Sequence, residues 1–491
     1  MKSKVSKVLS ILLSVVLVIS SFYLLYQVIR LNVLPSKFLF PLTIGVVVLD
    51  AIFILLLIYF SKNVVSKIVC IVLTLFICVA SCMGGYYISK TQNVLSNITN
   101  VAKHAKNTVS VIVKESSSIK NKSQLNGVSV GSLRLNEQGS KKVLKELSSE
   151  GIVLNQTEYD SMTALLEAFY NGEVDSIIIN ESSRSQILDM EAYSNFDSNT
   201  RVVYQTSYKV KNNDSATSVS DITSKPFNVL ISGSDTRGGF DENGRSDVIM
   251  IATVNPKTHT ILLTSVPRDF YVTTACDAGD GCMQGALDKI THTGIHGTNT
   301  TKRTVEQLLG IEINYTFKVG FDTVTELVDV LGGVDVYVEP GYATTTSEFS
   351  VHEGVNHLNA QQALAFARER YSYTEGDRQR TKNQQQVLMG IVKEATKPSV
   401  ITNYAAIMDT MANTFSTTMS NEEITDLIKY QLNNNPTWKM EQYMVDGTGD
   451  TLMCAELGDA ASVMVPDQST VKMAKDKINA VLAGKSSEDV K

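Results

Sequence analysis

The sequence predicts an α/β protein in three parts: three N-terminal transmembrane helices, a small α/β accessory domain and a larger α/β domain. Three observations carry this. The apolar residues of the 491-residue chain crowd into its first 90 positions, while the remainder reads as water-soluble. Between 128 and 179 short apolar runs alternate with helical patterns. After Pro226, two strand-like runs flank the turn Asn255-Pro256-Lys257-Thr258, and helical patterns follow as far as 482. A chain of this length exceeds one ordinary domain, so the expected divisions are 1–90, 91–212, a linker at 213–225, and 226–485.

The three apolar stretches cover residues 8–29, 38–60 and 64–88. Each is long enough, as a helix of about 20 residues, to cross the hydrocarbon core. A cleaved signal peptide fits the first poorly, because its run is long and two more follow closely. Lys2, Lys4 and Lys7 precede the first stretch, and Lys62 and Lys67 flank the loop between the second and third. Positive charge favours the cytoplasmic side. The N-terminus is therefore expected inside and everything after Ile88 outside. Arg30 and Lys37 in the first loop dissent mildly. Asp50 lies within the second span, where a carboxylate marks either a functional site or a tertiary contact.

Net charge is −6, which argues against a nucleic-acid partner. The accessory domain reads as βαβαβ, with strands at 128–133, 152–155 and 175–179 and helices at 139–149 and 161–171. Its phrase from Gly172 to Ile179 resembles periplasmic solute-binding proteins loosely, and a spacer or interaction role is favoured over ligand binding. Ser, Thr, Asn and Asp fill the linker. In the main domain, strands are expected at 227–231, 247–254 and 259–266. Helices are expected at 302–309, 321–331, 359–367, 380–397, 404–413, 421–432 and 469–482.

The short turn makes 247–254 and 259–266 an antiparallel hairpin. Centred between Pro256 and Lys257, it sets Arg245 opposite Arg268; shifted by one residue, Asp247 faces Arg268. Either register gathers Arg245, Asp247, Arg268 and Asp269 at one sheet edge, and Asp235 and Arg237 end the preceding strand. Carboxylates so grouped suit Mg2+ or Mn2+ with water and phosphate completing the shell, or form surface ion pairs. Further on, Asn359 and Gln362 form a capping box, and their helix runs into Arg368-Glu369-Arg370. Asp377 reads as the N-cap of the next helix. There Arg380, Gln384, Leu388 and Ile391 share one face, which is expected to look inward. A helix N-terminus with planar guanidinium forks suits a phosphate; pairing of Arg380 with Glu375 or Glu369 is the alternative.

No Walker loop, dinucleotide fingerprint or Gly-x-Ser-x-Gly elbow is present. His292 and His296 lack a third partner for zinc. Six cysteines make no disulfide framework. Cys276 and Cys282, close together and outside the membrane, are expected to bridge, leaving Cys454 unpaired.

The run Val229 to Arg237, then Arg245 to Met250, then Ser265-Val266-Pro267-Arg268-Asp269 resembles the opening of a LytR-CpsA-Psr domain. Lys289-Ile290, Leu331 to Val336, Ala363 to Arg370, and Gly376-Asp377 with Arg380 and Gln384-Gln385 continue the resemblance in order. The three spans and accessory domain resemble the streptococcal capsule-type members. Asn383 stands where many relatives carry a basic residue. The resemblance implies a central mixed sheet flanked by helices. It further implies an extracytoplasmic phosphotransferase that moves a glycopolymer, capsular polysaccharide in preference to wall teichoic acid, from a polyprenyl-pyrophosphate carrier to peptidoglycan. Arg268, Arg368, Arg370 and Arg380 would clamp the pyrophosphate, with Lys289 and Gln384 in support. Asp235 and Asp247 would hold Mg2+, with Mn2+ an alternative, and Arg268, Arg245 and Asp247 would be the catalytic set. A regulator of wall or capsule genes and a non-catalytic polymer-binding scaffold are the rival readings. The outside position of the domain counts against the first.

Overall fold

Hydrophobic length shapes the start of the chain. Helices α1 (Lys2–Leu31), α2 (Ser36–Leu55) and α3 (Val64–Val101) follow one another, and the turn Leu56–Phe60 extends α2. Segments Lys7–Leu31, Ser36–Tyr59 and Val64–Val94 are long and apolar enough to cross a membrane, and many of their large side chains, such as Phe22, Phe40 and Phe76, are exposed. Asp50 accepts a hydrogen bond from Ser21 Oγ (3.0 Å), so it makes a tertiary contact between α1 and α2. The structure, a computed structural model, describes residues 2–60, 63–101, 104–211, 214–234, 242–277, 281–397, 406–407, 410 and 415–491.

Two compact units divide the chain. The first joins Met1–Asn97 to Ala395–Ala412 and Ser420–Pro436; the second holds Ile98–Glu394, Asn413–Met419 and Thr437–Lys491. Within the first, helix Asn421–Asn434 meets the α1–α2 loop. Lys37 Nζ donates to Asn433 O (2.5 Å) and Lys429 Nζ to Asn32 Oδ1 (2.7 Å). The helix expected at 404–413 lies largely outside the described residues.

The second unit begins with the accessory sheet. Its elements are β1 (His104–Lys114), β2 (Ser129–Leu133), α4 (Glu137–Ser149), β3 (Asn155–Tyr159), α5 (Met162–Asn171), β4 (Ser176–Asn180), α6 (Arg184–Asp189), α7 (Phe196–Asn199) and β5 (Thr200–Lys211). The strand order is β3-β2-β4-β1-β5. The expected βαβαβ core is present, with β2 parallel to β3 and β4. Two differences follow. Strands β1 and β5, antiparallel neighbours, add to the expected βαβαβ pattern. The strand expected at 152–155 starts where that span ends, because Ile152 and Leu154 are buried among α4 residues before an exposed polar edge strand begins.

The main domain contains β6 (Phe227–Ser234), β7 (Ser246–Asn255), β8 (Thr260–Val266), β9 (Tyr271–Thr273), β10 (Leu287–Lys289), α8 (Thr298–Leu309), β11 (Tyr315–Gly320) and α9 (Phe321–Leu331). Then come β12 (Val334–Val338), β13 (Thr344–Thr345), β14 (Ser350–Val351), β15 (Gly354–Leu358), α10 (Ala360–Arg368) and α11 (Asp377–Ala395). Strands β16 (Phe415–Thr417), β17 (Lys439–Met444), β18 (Gly447–Cys454) and β19 (Asp459–Pro466) and helix α12 (Gln468–Leu482) follow. The mixed sheet runs β16-β11-β6-β7-β8-β17. One core packs Leu230, Ile251 and Leu262 of the sheet against Val305 and Leu309 of α8 and Val471 and Ile478 of α12. Burying one such side chain contributes roughly 1.5–3 kcal/mol. A second core joins α9, α10, α11 and the β12–β15 pair around Val336, Phe366 and Val387. Residues of the stretch before β6 rest on the main domain: Thr217 N donates to Asn314 O (2.9 Å), and buried Asp214 accepts from Thr316 Oγ1 (2.6 Å).

Candidate functional site

The β7–β8 hairpin pairs Ile249 with Val266 and Asn255 with Thr260. This is the shifted register, and it carries Asp247 to Arg268. Their side chains meet, Arg268 Nη1 donating to Asp247 Oδ1 at 3.1 Å. Arg245 Nη2 lies 3.7 Å from Asp247 Oδ2, and Thr291 Oγ1 donates to Oδ1 at 3.1 Å. Thr291 reaches that place because the 3-10 segment Ile290–His296 lies flat on the start of β7. At Gly294 a Cβ would collide with the backbone of Gly244 and Ser246, so only glycine allows this approach. Lys289 pairs with Asp269 (3.3 Å), which also flanks Arg268 Nε at 3.8 Å.

Helix α11 crosses the same end of the sheet. Gln385 pins it there: its Nε2 donates to Ser265 Oγ (2.9 Å) and Tyr443 O (2.8 Å). Ser265 stands three residues before Arg268 and Gln385 five after Arg380, so this anchor brings the two guanidiniums together. Arg380 pairs with Asp377. Asp377 is thus its partner in place of Glu375 or Glu369, and it is the first helical residue, with Gly376 preceding, rather than an N-cap. The deepest face of α11 carries Gln379, Asn383, Val387 and Gly390. The expected stripe Arg380, Gln384, Leu388 and Ile391 is the half-buried flank beside it. The offset has a polar cause: Asn383 is buried because its Nδ2 donates to Phe366 O (3.0 Å) and its Oδ1 accepts from Gln379 (3.0 Å). Arg370 stacks on Tyr371 at 4.6 Å, and its charge adjoins Arg380. Arg368 stands exposed at the end of α10.

Electrostatics separate these groups. Burial opposes the charge on Asp247, yet Arg245 and Arg268, with the Arg268 and Thr291 hydrogen bonds, hold its carboxyl below the ordinary range. Burial lowers Arg268 too, but Asp247, Asp269 and Asp377 outweigh it and keep the guanidinium firmly charged. For Arg380 burial wins over Asp377, and its pKa is depressed. Among the described residues, the buried Nε atoms of Arg268 and Arg380 have no hydrogen-bond partner. Guanidinium donors left so are rare, since desolvating them uncompensated is costly. They fit an anion with several acceptor oxygens, such as a phosphate.

The metal expectation meets a thinner donor set. Asp235 lies outside the described residues. Among the described residues no group of three or more His, Cys, Asp or Glu side chains could hold a metal. Of the two expected ligands Asp247 is the one described, and a single carboxylate suits an ion arriving with phosphate oxygens and not an all-protein cage. His292 meets Asp288 (2.7 Å) and His296 meets Glu456 (2.9 Å). Cys276 and Cys282 are bridged, and Cys454 is buried and free. Thr291 and the Gln385–Ser265 anchor escaped the sequence reading, because neither residue type signals a site until two distant segments meet.

Several known proteins are similar to this chain. A teichoic acid transferase of Bacillus cereus strain AH820, named polyisoprenyl-teichoic acid–peptidoglycan teichoic acid transferase TagU, is 31% identical over 241 residues. The match covers 48% of this chain and 76% of that protein. TagU of Bacillus subtilis strain 168 is 34% identical over 203 residues, covering 41% of this chain and 63% of its own length. The crystal structure of B. subtilis TagU aligns at 28% identity with a TM-score of 0.41, over 52% of this chain and 97% of that one. Residues 192–480 match the LytR_cpsA_psr family, more than half of the chain and every described site residue above, and the protein therefore belongs to that family.

Proposed function

We propose that this chain is an extracytoplasmic transferase that moves a glycopolymer from a polyprenyl-pyrophosphate carrier to peptidoglycan. The observation that carries this is the pair of largely buried guanidiniums, Arg268 and Arg380, each with an Nε that has no hydrogen-bond partner among the described residues. The named activity of the TagU relatives, teichoic acid transfer to peptidoglycan, supports it. Capsular polysaccharide is the donor we favour over teichoic acid.

Phosphoryl transfer needs positioning and charge neutralisation more than covalent work. Arg268 and Arg380 would grip the pyrophosphate with planar forks, with Arg368, Arg370, Lys289 and Gln384 around them. A wall-sugar hydroxyl attacks the sugar-side phosphorus, the bond to the bridging oxygen breaks, and the lipid phosphate leaves with the hydroxyl proton. Asp247, held ionised by two guanidiniums, is a poor proton acceptor, and its work is to orient Arg245 and Arg268. Asp247 and Asp235 would hold Mg2+ or Mn2+ together with phosphate oxygens, where the ion supplies neutralisation of the pyrophosphate charge.

The test uses the full-length protein in detergent. We expect it to transfer lipid-linked polymer to peptidoglycan, and Arg268→Ala and Asp247→Ala to abolish transfer while melting curves stay cooperative. Normal transfer by both variants would leave the scaffold reading instead. Analysis of wall-attached polymer in a deletion strain then identifies the donor: loss of capsule supports our choice, and loss of teichoic acid overturns it.

A further inference from the structure

The accessory domain reaches the site. Asp189, the last residue of the short helix α6, forms an ion pair with Arg245 Nη1. Asp189 lies just outside the family match, which starts at 192, so this contact is supplied by the accessory domain of this chain. The guanidinium of Arg245 is therefore held from two sides, by Asp189 at Nη1 and by Asp247 at Nη2 (3.7 Å).

The surroundings make the contact specific. Met190, the next residue, packs on buried Cys454, Leu457 and Val463 of the β18–β19 hairpin. Thr163 at the start of α5 donates through N and Oγ1 to Leu457 O (3.2 and 3.1 Å). The tip of that hairpin is tied back to the main site: Glu456 N donates to Asp288 Oδ2 (2.7 Å) and Glu456 Oε2 meets His296 Nε2 (2.9 Å). Asp288 and His296 bracket the segment whose Thr291 holds Asp247. On the other side, Lys106 of β1 pairs with Glu242 (3.1 Å), three residues before Arg245, and Thr108 bonds the same carboxylate. A closed path thus runs from Asp247 to Thr291, along the chain to Asp288, on to Glu456 and its neighbour Leu457, through Met190 and Asp189 to Arg245, and back to Asp247.

From this path we infer that Asp189 is a positioning residue for the transfer reaction, fixing Arg245 against Asp247, and that the accessory domain is a working part of the catalytic site and not a spacer. The inference rests on the transfer reading above. The side chain of Asp189 is 62% exposed and that of Arg245 only 9%. So exposed a carboxylate adds little to stability, and its value lies in where it holds the guanidinium.

The experiment is a double-mutant cycle on the full chain in detergent, with Asp189→Ala, Arg245→Lys and both. It is read as transfer kinetics and as binding of inorganic pyrophosphate. We expect Asp189→Ala to lower kcat by on the order of tenfold to 100-fold and to weaken pyrophosphate binding several-fold, and Asp189→Glu to restore most of both. Asp189→Asn, of the same size without charge, should behave like Ala. In the Arg245→Lys background, Asp189→Ala should add almost nothing, in kcat and in pyrophosphate affinity alike. Wild-type kcat in Asp189→Ala, or additive effects in both readouts, overturns the inference. A wild-type chain that binds pyrophosphate but never transfers would sink the transfer reading, and the pyrophosphate cycle would still decide whether Asp189 and Arg245 act as a unit.

Discussion

Arg380 shows that a residue can be costly to the fold and still belong there. Its guanidinium is largely buried, its pKa is pushed down by that burial, and its Nε makes no hydrogen bond among the described residues. An apolar side chain in its place relieves that desolvation, and the partner left behind, Asp377, is exposed enough to take up water. We expect Arg380→Met to melt no lower than the wild type while pyrophosphate binding, followed by calorimetry, is lost. Arg380→Lys keeps the charge but not the planar fork, and its transfer rate should fall at least about tenfold; equal affinity and rate would make Arg380 a structural residue. Asp214 is a purer case of strain. Burial pushes its carboxyl up to about 6 despite the bond from Thr316. The folded state then favours the protonated form. Its stabilising share is complete below the ordinary carboxyl value of 3.8 and is lost as pH rises through about 6. Asp214→Asn should therefore raise the melting temperature at pH 8, by an amount worth about 2–3 kcal/mol, and change little at pH 4. An equal shift at both pH values would contradict this.

At the scale of elements, one close approach seats helix α11. Helix α11 lies so near β12 that a Cβ on Gly390 would sit 2.7 Å from Asp335 O and 3.1 Å from Val334 Cβ. In an exposed helix Gly→Ala stabilises by about 1 kcal/mol. Here the backbone must shift, and Gly390→Ala should destabilise by about 1–3 kcal/mol in denaturant melts, with transfer reduced because the Gln385 anchor on Ser265 moves with the helix. A stabilised variant would show that the gap is larger than described. The Cys276–Cys282 bridge closes a short loop before β10. Reducing it frees little chain, so the loss is about 2 kcal/mol, a fall of several degrees in melting temperature. Cys454, whose thiol burial pushes up to about 12, should stay unlabelled by maleimide until the protein unfolds.

For the whole molecule, the three spans are expected to put the N-terminus inside and the main domain outside. A membrane-impermeant maleimide should label a cysteine introduced at Lys485 in intact cells and miss one at Ser66. The reverse pattern would invert the topology and with it the access of the site to peptidoglycan.

Much of this was legible from local chemistry. Spans α1 to α3 announce themselves by apolar length, helix α9 by its period, and the β7–β8 hairpin by Asn255-Pro256 and its flanking runs. A hairpin links residues near in sequence, so the meeting of Asp247 with Arg268 was already one of two possible registers. The rest depended on distance along the chain. Strand β11 pairs in parallel with β6, some 86 residues away at Tyr315 and Val229, and no local pattern states that choice. The exact face of α11 was missed by one residue because Asn383 and Gln379 are buried through bonds to each other and to Phe366 O, which apolar periodicity cannot register. The sequence by itself determined the residue types of the anion site and the order of its segments. Only the tertiary structure decided which guanidiniums share burial, that Thr291 and Gln385 hold them there, and that Asp189 arrives from another domain, since desolvation and side-chain bonding arise when distant segments close on one another.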